Sequence, residues 1–145
     1  MKKFGIVSSA LLFAVLCSTQ ASMADEPSQS VSIPADQIKY SDAGIGGPKL
    51  GVIWGDPTKG AYGAFLRLPK GYASPVHLHT YDYKGVIVEG TVTNAETGQP
   101  EIPLTPGSYF LQRGKADHVT ACVGDKDCLI YIVQTEHLDF ITHKK

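Results

Sequence analysis

From Lys49 onward the chain alternates short apolar runs with polar breaks, and the runs have the length and two-residue period of β-strands. Candidate strands are Lys49 to Trp54, Tyr62 to Leu68, Ser74 to His79, Gly85 to Thr93, Ser108 to Gln112, Val119 to Val123 and Leu129 to Gln134. The breaks are turn sequences: Gly44-Ile45-Gly46-Gly47-Pro48, Gly55-Asp56-Pro57, Pro69-Lys70-Gly71 and Thr105-Pro106-Gly107. Asn94-Ala95-Glu96-Thr97-Gly98 reads as a further link between two strands. No long segment keeps a helical period, and no solenoid-type repeat is present. The pattern predicts a single all-β domain, a small jelly roll or related barrel.

The first 24 residues follow a different pattern. Lys2 and Lys3 precede an apolar run from Ile6 to Leu16, and Ser22-Met23-Ala24 is a small-x-small site before Asp25. This is the layout of a secretory signal peptide at 1–24, cleaved after Ala24. The apolar run is too short to span a membrane, and no later stretch is long enough. Residues 25–36 are polar with Pro27 and Pro34 and read as an extended leader; 37–145 form the domain. The expected location is secreted or periplasmic.

Charge changes the picture little. The chain of 145 residues has 13 Lys and Arg against 14 Asp and Glu, a formal net charge of −1. Loss of Lys2 and Lys3 makes the balance slightly more acidic. A nucleic-acid partner would want a basic face, which this chain lacks. With Cys17 in the expected signal peptide, Cys122 and Cys128 remain, flanking a turn-rich segment between two strand-like runs. A hairpin there sets the two sulfurs opposite each other, and an exported protein can keep the disulfide. Two free thiols are the alternative.

The candidate chemistry lies in three histidines. His77 and His79 stand at i and i+2 on one predicted strand and share a face. His118, on another strand, can complete one side of a metal ion, since neutral imidazole is a good ligand. A metal-free polar interior is the alternative use of three buried histidines. The set suits a divalent ion but does not distinguish Fe, Zn, Mn, Ni or Cu. It contains no carboxylate, so the ion would keep its full charge and favour an anionic or enolate-like oxygen ligand. Tyr83 and Arg113 are the candidate catalytic side chains, placed to stabilise negative charge. His137 and His143 fall in a polar C-terminal segment and read as solvent-exposed. Trp54 reads as core packing.

The spacing of these residues resembles the cupin superfamily. Gly71, five residues, His77-Leu78-His79, three residues, Tyr83, six residues and Gly90 match its first motif, with Tyr83 where the family usually has Glu. Gly107, five residues, Arg113-Gly114-Lys115, two residues, His118, three residues and Cys122 match the second. There Arg113 replaces Pro, Lys115 replaces Gly and Cys122 replaces Asn. The runs Trp54-Gly55-Asp56-Pro57, His77 to Tyr83 and Gly107-Ser108-Tyr109-Phe110 are similar to small single-domain cupins of unknown function related to acetylacetone-cleaving dioxygenases. The resemblance implies a small antiparallel jelly-roll barrel with a metal in its mouth, and pairing into a homodimer. It implies a dioxygenase-like enzyme acting on a small β-dicarbonyl or enolate-like compound. A non-catalytic periplasmic module that binds a small molecule or a metal is the other reading. Isomerase chemistry on a sugar, the third, normally uses a His-Asp pair that is not evident here.

Overall fold

The computed structural model describes residues 29–143; the expected signal peptide and residues 25–28 of the leader lie outside them. Ten strands follow in order: β1 (Ser41–Asp42), β2 (Lys49–Gly55), β3 (Tyr62–Leu68), β4 (His77–Leu78), β5 (Tyr83–Glu89), β6 (Val92–Glu96), β7 (Tyr109–Gln112), β8 (His118–Cys122), β9 (Cys128–Gln134) and β10 (Ile141–Thr142). A single 3-10 turn, Ala35–Gln37, precedes them. All strand pairs are antiparallel.

The strands form two open sheets, one in the order β1-β2-β3-β9-β5-β7 and the other β10-β4-β8-β6. This corrects the expected jelly-roll barrel. Closing a barrel needs continuous strand pairing around the whole circumference. Here β1 and β7 end one sheet, β10 and β6 end the other, and no ladder joins the two. Strands β1, β4 and β10 have only two residues each, too few to carry pairing around a corner. The core is held instead by side chains from the two facing sheets.

Strand β9 shows how the sequence makes this core. Cys128, Ile130, Ile132 and Gln134 point inward and are buried, while Leu129, Tyr131 and Val133 between them are half-buried on the other face. The strand lies between β3 and β5, at the centre of the larger sheet. Ile130 belongs to one buried cluster with Tyr62, Ala64, Leu68, Ile87 and Phe110 of that sheet and Val92 and Cys122 of the facing one.

Three local expectations change. The predicted strand Gly85 to Thr93 is two strands in different sheets, broken at Gly90, whose φ is +78°. A Cβ at Gly90 would stand 2.7 Å from Cys128 Sγ and 2.8 Å from Asp127 O, so the corner needs glycine. Residues Asn94 to Glu96, expected as a link, belong to β6. The run Ser74 to His79 keeps only His77–Leu78 as strand, because Pro75 lacks the N–H a ladder requires.

Cys122 and Cys128 are joined in a disulfide, with Cα atoms 5.8 Å apart. Their strands do not form a hairpin: β8 and β9 lie in different sheets, so the bridge ties the sheets together at one end. Trp54 is not in the interior either. It is half-buried beside β3 and β9, donating its indole N–H to the Tyr131 hydroxyl at 3.1 Å. A Cβ at Gly63 would overlap the indole at 2.1 Å, which is why β3 has glycine there.

Candidate metal centre

The smaller sheet brings the three histidines together. His77 lies on β4 directly opposite His118, the first residue of β8, and His79 follows one residue after β4. Their ring centroids are 4.2 Å (His77–His118), 4.9 Å (His77–His79) and 5.3 Å (His79–His118) apart. One nitrogen from each ring lies within 4.8 Å of the others. All three side chains are buried.

Each ring is held in the same way. His77 Nδ1 bonds Pro75 O at 2.9 Å and lies 3.2 Å from Ser74 Oγ; His118 Nδ1 bonds Ala116 O at 3.0 Å; His79 Nδ1 bonds Asp139 O. A carbonyl only accepts, so each Nδ1 carries the hydrogen and each Nε2 keeps its lone pair. Burial lowers all three pKa values from the usual 6.5, with His77 pulled down to about 4. The carbonyl bonds oppose this shift without cancelling it. The rings are neutral at pH 7, the form that ligates a metal. Three rings with one nitrogen each converging, and with an orienting carbonyl on each Nδ1, form a site able to coordinate a divalent ion, without choosing among such ions.

Tyr83 begins β5 and reaches the same place from the opposite sheet. Its hydroxyl is 3.2 Å from Asn94 Oδ1 and 3.4 Å from His118 Nε2. Burial raises its pKa far above the ordinary tyrosine range, so it is a neutral phenol and a hydrogen-bond donor. Asn94 also accepts from Thr120 Oγ1 at 2.6 Å and donates to Gln112 Oε1 at 2.8 Å. Asn94, Gln112 and Thr120 are polar neighbours of the site that the motif reading missed. Thr120, two residues after His118, shares its face by strand alternation, whereas the burial of Gln112 and Asn94's place beside it come only from the fold.

Arg113 is elsewhere. Its side chain is 66% exposed and its guanidinium donates to Asp82 Oδ2 at 2.7 Å. Asp82 also accepts from Gly114 N, and these two bonds keep its carboxyl below its usual pKa. The pair fastens the loop ahead of His118 to the chain after His79. A Cβ at Gly114 would meet Thr80 O at 2.5 Å, so this loop, too, needs its glycine.

The C-terminal segment, expected to be a polar tail, closes over the histidines. Phe140 stacks on His77, and Leu138 N donates to Pro57 O at 2.7 Å. The Asp139 carboxylate accepts from Thr80 N at 2.9 Å and from its hydroxyl at 2.5 Å, fixing the carbonyl that orients His79. Strand β10 then pairs with β4, and exposed His143 bonds Asp117 at 2.7 Å. Leu138, Phe140 and Ile141 were the apolar signal in an otherwise polar stretch.

Beside the histidines lies a cavity between the sheets, walled by Leu50, Leu66, Leu68 and Ile132 and bounded by Leu138 and Phe140. His77, His79 and Tyr83 line it; Arg113 does not.

Two facing antiparallel sheets with a His-x-His and a distant histidine converging between them define a cupin-superfamily fold. The chain belongs to the family described as a domain of unknown function, DUF4437, which matches residues 39–139. Solved structures agree on the fold. The KdgF structure from Halomonas sp. has a TM-score of 0.58 at 17% identity, over 70% of this chain and 92% of that one. An RmlC-like cupin from Shewanella frigidimarina has 0.60 at 22%, over 78% and 94%. The polyketide cyclase RemF from Streptomyces resistomycificus has 0.67 at 12%, over 81% and 87%. No curated protein sequence matches the chain. Among the described residues, no helix is long and apolar enough to cross a membrane.

Proposed function

We propose that this protein is an exported metal-dependent cupin enzyme with dioxygenase-like activity on a small β-dicarbonyl or enolate-like compound. The observation that carries this reading is the ligand set: three buried neutral imidazoles and no carboxylate. A divalent ion held there supplies Lewis acidity toward an anionic oxygen ligand and, if it is redox-active, a route for electrons. The chain's own residues do the rest. Bonds from each Nδ1 to a carbonyl hold the three rings in a fixed orientation. Tyr83, kept protonated by burial, donates a hydrogen bond to negative charge on a bound oxygen. The leucine and isoleucine walls exclude water and strengthen both interactions. Arg113, engaged by Asp82, acts from outside the cavity by holding the loop that presents His118.

The N-terminal pattern and the buried disulfide support export, since disulfides persist in oxidising compartments. Homodimer formation is proposed from the family resemblance. It is supported by the outward apolar residues Val86, Val88, Tyr109 and Leu111 on neighbouring strands β5 and β7.

A binding module without turnover is the second reading. It is favoured by one observation: the cavity lining contains no carboxylate to act as general base. The test is metal analysis of protein purified without a histidine tag, followed by dioxygen uptake with 2,4-pentanedione as probe. Stoichiometric metal and uptake that His118→Ala abolishes support the enzyme. Metal without turnover of any β-dicarbonyl supports the module. Absence of metal from both the wild type and a His77→Ala/His118→Ala variant, even after reconstitution, overturns the enzyme reading and leaves a metal-free module that binds a small molecule.

A further inference from the structure

The cavity contains no charged side chain: its lining has no Lys, Arg, Asp or Glu. Most of its polar groups are already engaged. Ser74 Oγ accepts from Thr120 N and lies against His77 Nδ1. The Thr120 and Tyr83 hydroxyls both bond Asn94 Oδ1. Tyr62 donates to Gln134 Oε1 at 3.0 Å, and Gln134 Nε2 donates to His137 O. What remains is the imidazole edge, with the Tyr83 hydroxyl beside it that can turn from Asn94 Oδ1 to a bound oxygen, and the hydroxyl of Tyr72, which is buried without a partner. Leucine, isoleucine and phenylalanine supply seven of the sixteen residues that line the cavity.

A ligand must match this distribution. A polyol, a sugar phosphate or a dicarboxylate would bury hydroxyls or charge against hydrocarbon, each unpaired group costing about 1–3 kcal/mol or more. An alkyl or aryl group gains about 25 cal/mol for each Å² removed from water. We infer that the substrate is a compound with an apolar alkyl or aryl body and its oxygen atoms gathered at one end, the end that meets the histidines. Tyr72 leaves room for at most one further neutral oxygen. This rests on the metal-centre reading above and extends it to the other end of the substrate.

The inference is tested with zinc-loaded full chain and three probes: acetohydroxamate, benzohydroxamate and gluconate. All bind metals through oxygen; only benzohydroxamate adds an apolar body. Binding is measured by calorimetry, with the His77→Ala/His118→Ala variant as control. The expected result is benzohydroxamate at least tenfold tighter than acetohydroxamate, with gluconate the weakest. Leu66→Asn should cut the benzohydroxamate advantage to less than threefold, and half-buried Leu138 provides a second variant, Leu138→Asn, if the first does not fold. Equal affinities for the two hydroxamates, or tighter binding of gluconate, would overturn the apolar-substrate inference while leaving the metal centre in place. If zinc does not bind at all, the metal-centre reading fails, and this inference fails with it.

Discussion

Phe140 lies nearly flat on His77, with ring centroids 4.0 Å apart and planes 19° apart. A residue three positions from the end of the described chain thus covers a ring that the first motif supplies. The contact is continued by the β10–β4 pairing and by the Asp139 carbonyl on His79. The C-terminal segment is part of the metal centre's wall.

Removing that wall should loosen the site more than the fold. Phe140→Ala is expected to cost about 1–2 kcal/mol, less than a fully buried phenylalanine. It should weaken metal binding about tenfold, the lower end for loss of a supporting contact. Chelator competition followed by elemental analysis reads the second effect, and thermal unfolding the first. An unchanged metal affinity would show that the segment only covers the site.

The disulfide closes a short loop but joins two sheets. For a loop of this size the chain-entropy model gives about 2 kcal/mol. A Cys122→Ser/Cys128→Ser variant is expected to lose that much in urea unfolding, and the wild type the same amount under reducing conditions. A loss below about 0.5 kcal/mol would mean that packing of the two sheets is sufficient without the bridge.

Lys115 stands at a position where the cupin motif has glycine, and its φ is +64°. Its N–H donates to His79 O at 2.7 Å, so the left-handed conformation is held by the loop that presents His118. A side chain in that region costs about 1–2 kcal/mol, partly offset because glycine loses more freedom on folding. Lys115→Gly is therefore expected to raise stability by a few tenths to about 1 kcal/mol, measured by chemical unfolding, with metal content unchanged. Destabilisation would show that the lysine side chain makes a contribution of its own.

The histidines make the metal-free protein sensitive to acid. Each binds its proton less readily when folded than when unfolded, so the unfolded chain takes up more protons from pH 6.5 down to about 4, the range set by His77. Stability is fully present above pH 6.5 and falls as the pH drops through that window. The slope is up to about 1.4 kcal/mol per pH unit for each histidine. Urea midpoints at pH 7.5 and pH 5 measure it, and His77→Gln should give a shallower dependence. Bound metal should shift the loss to lower pH, because protons must then displace the ion. A flat profile from pH 7.5 to 5 would contradict the burial of the neutral rings.

The sequence alone determined the strand-forming runs, the turns between most of them and the shared face of His77 and His79. These depend on two-residue periodicity, on glycine and proline, and on short spacing, all local properties. The spaced half-motifs also placed His118 with the other two histidines and Tyr83 close to them. Tertiary structure decided what local pattern cannot carry. The apolar run through Gly90 is continuous in sequence, yet a corner imposed by contact with Cys128 sends its halves to different sheets. Whether the sheets close depends on strand lengths at their edges, and two-residue strands leave them open. Arg113 reads as a charge near the site, but Asp82, brought up by the fold, takes it to the surface. Phe140 and Asp139 were hidden in a polar tail because their importance comes only from the rings they meet, 60 residues away in the case of Asp139 and His79.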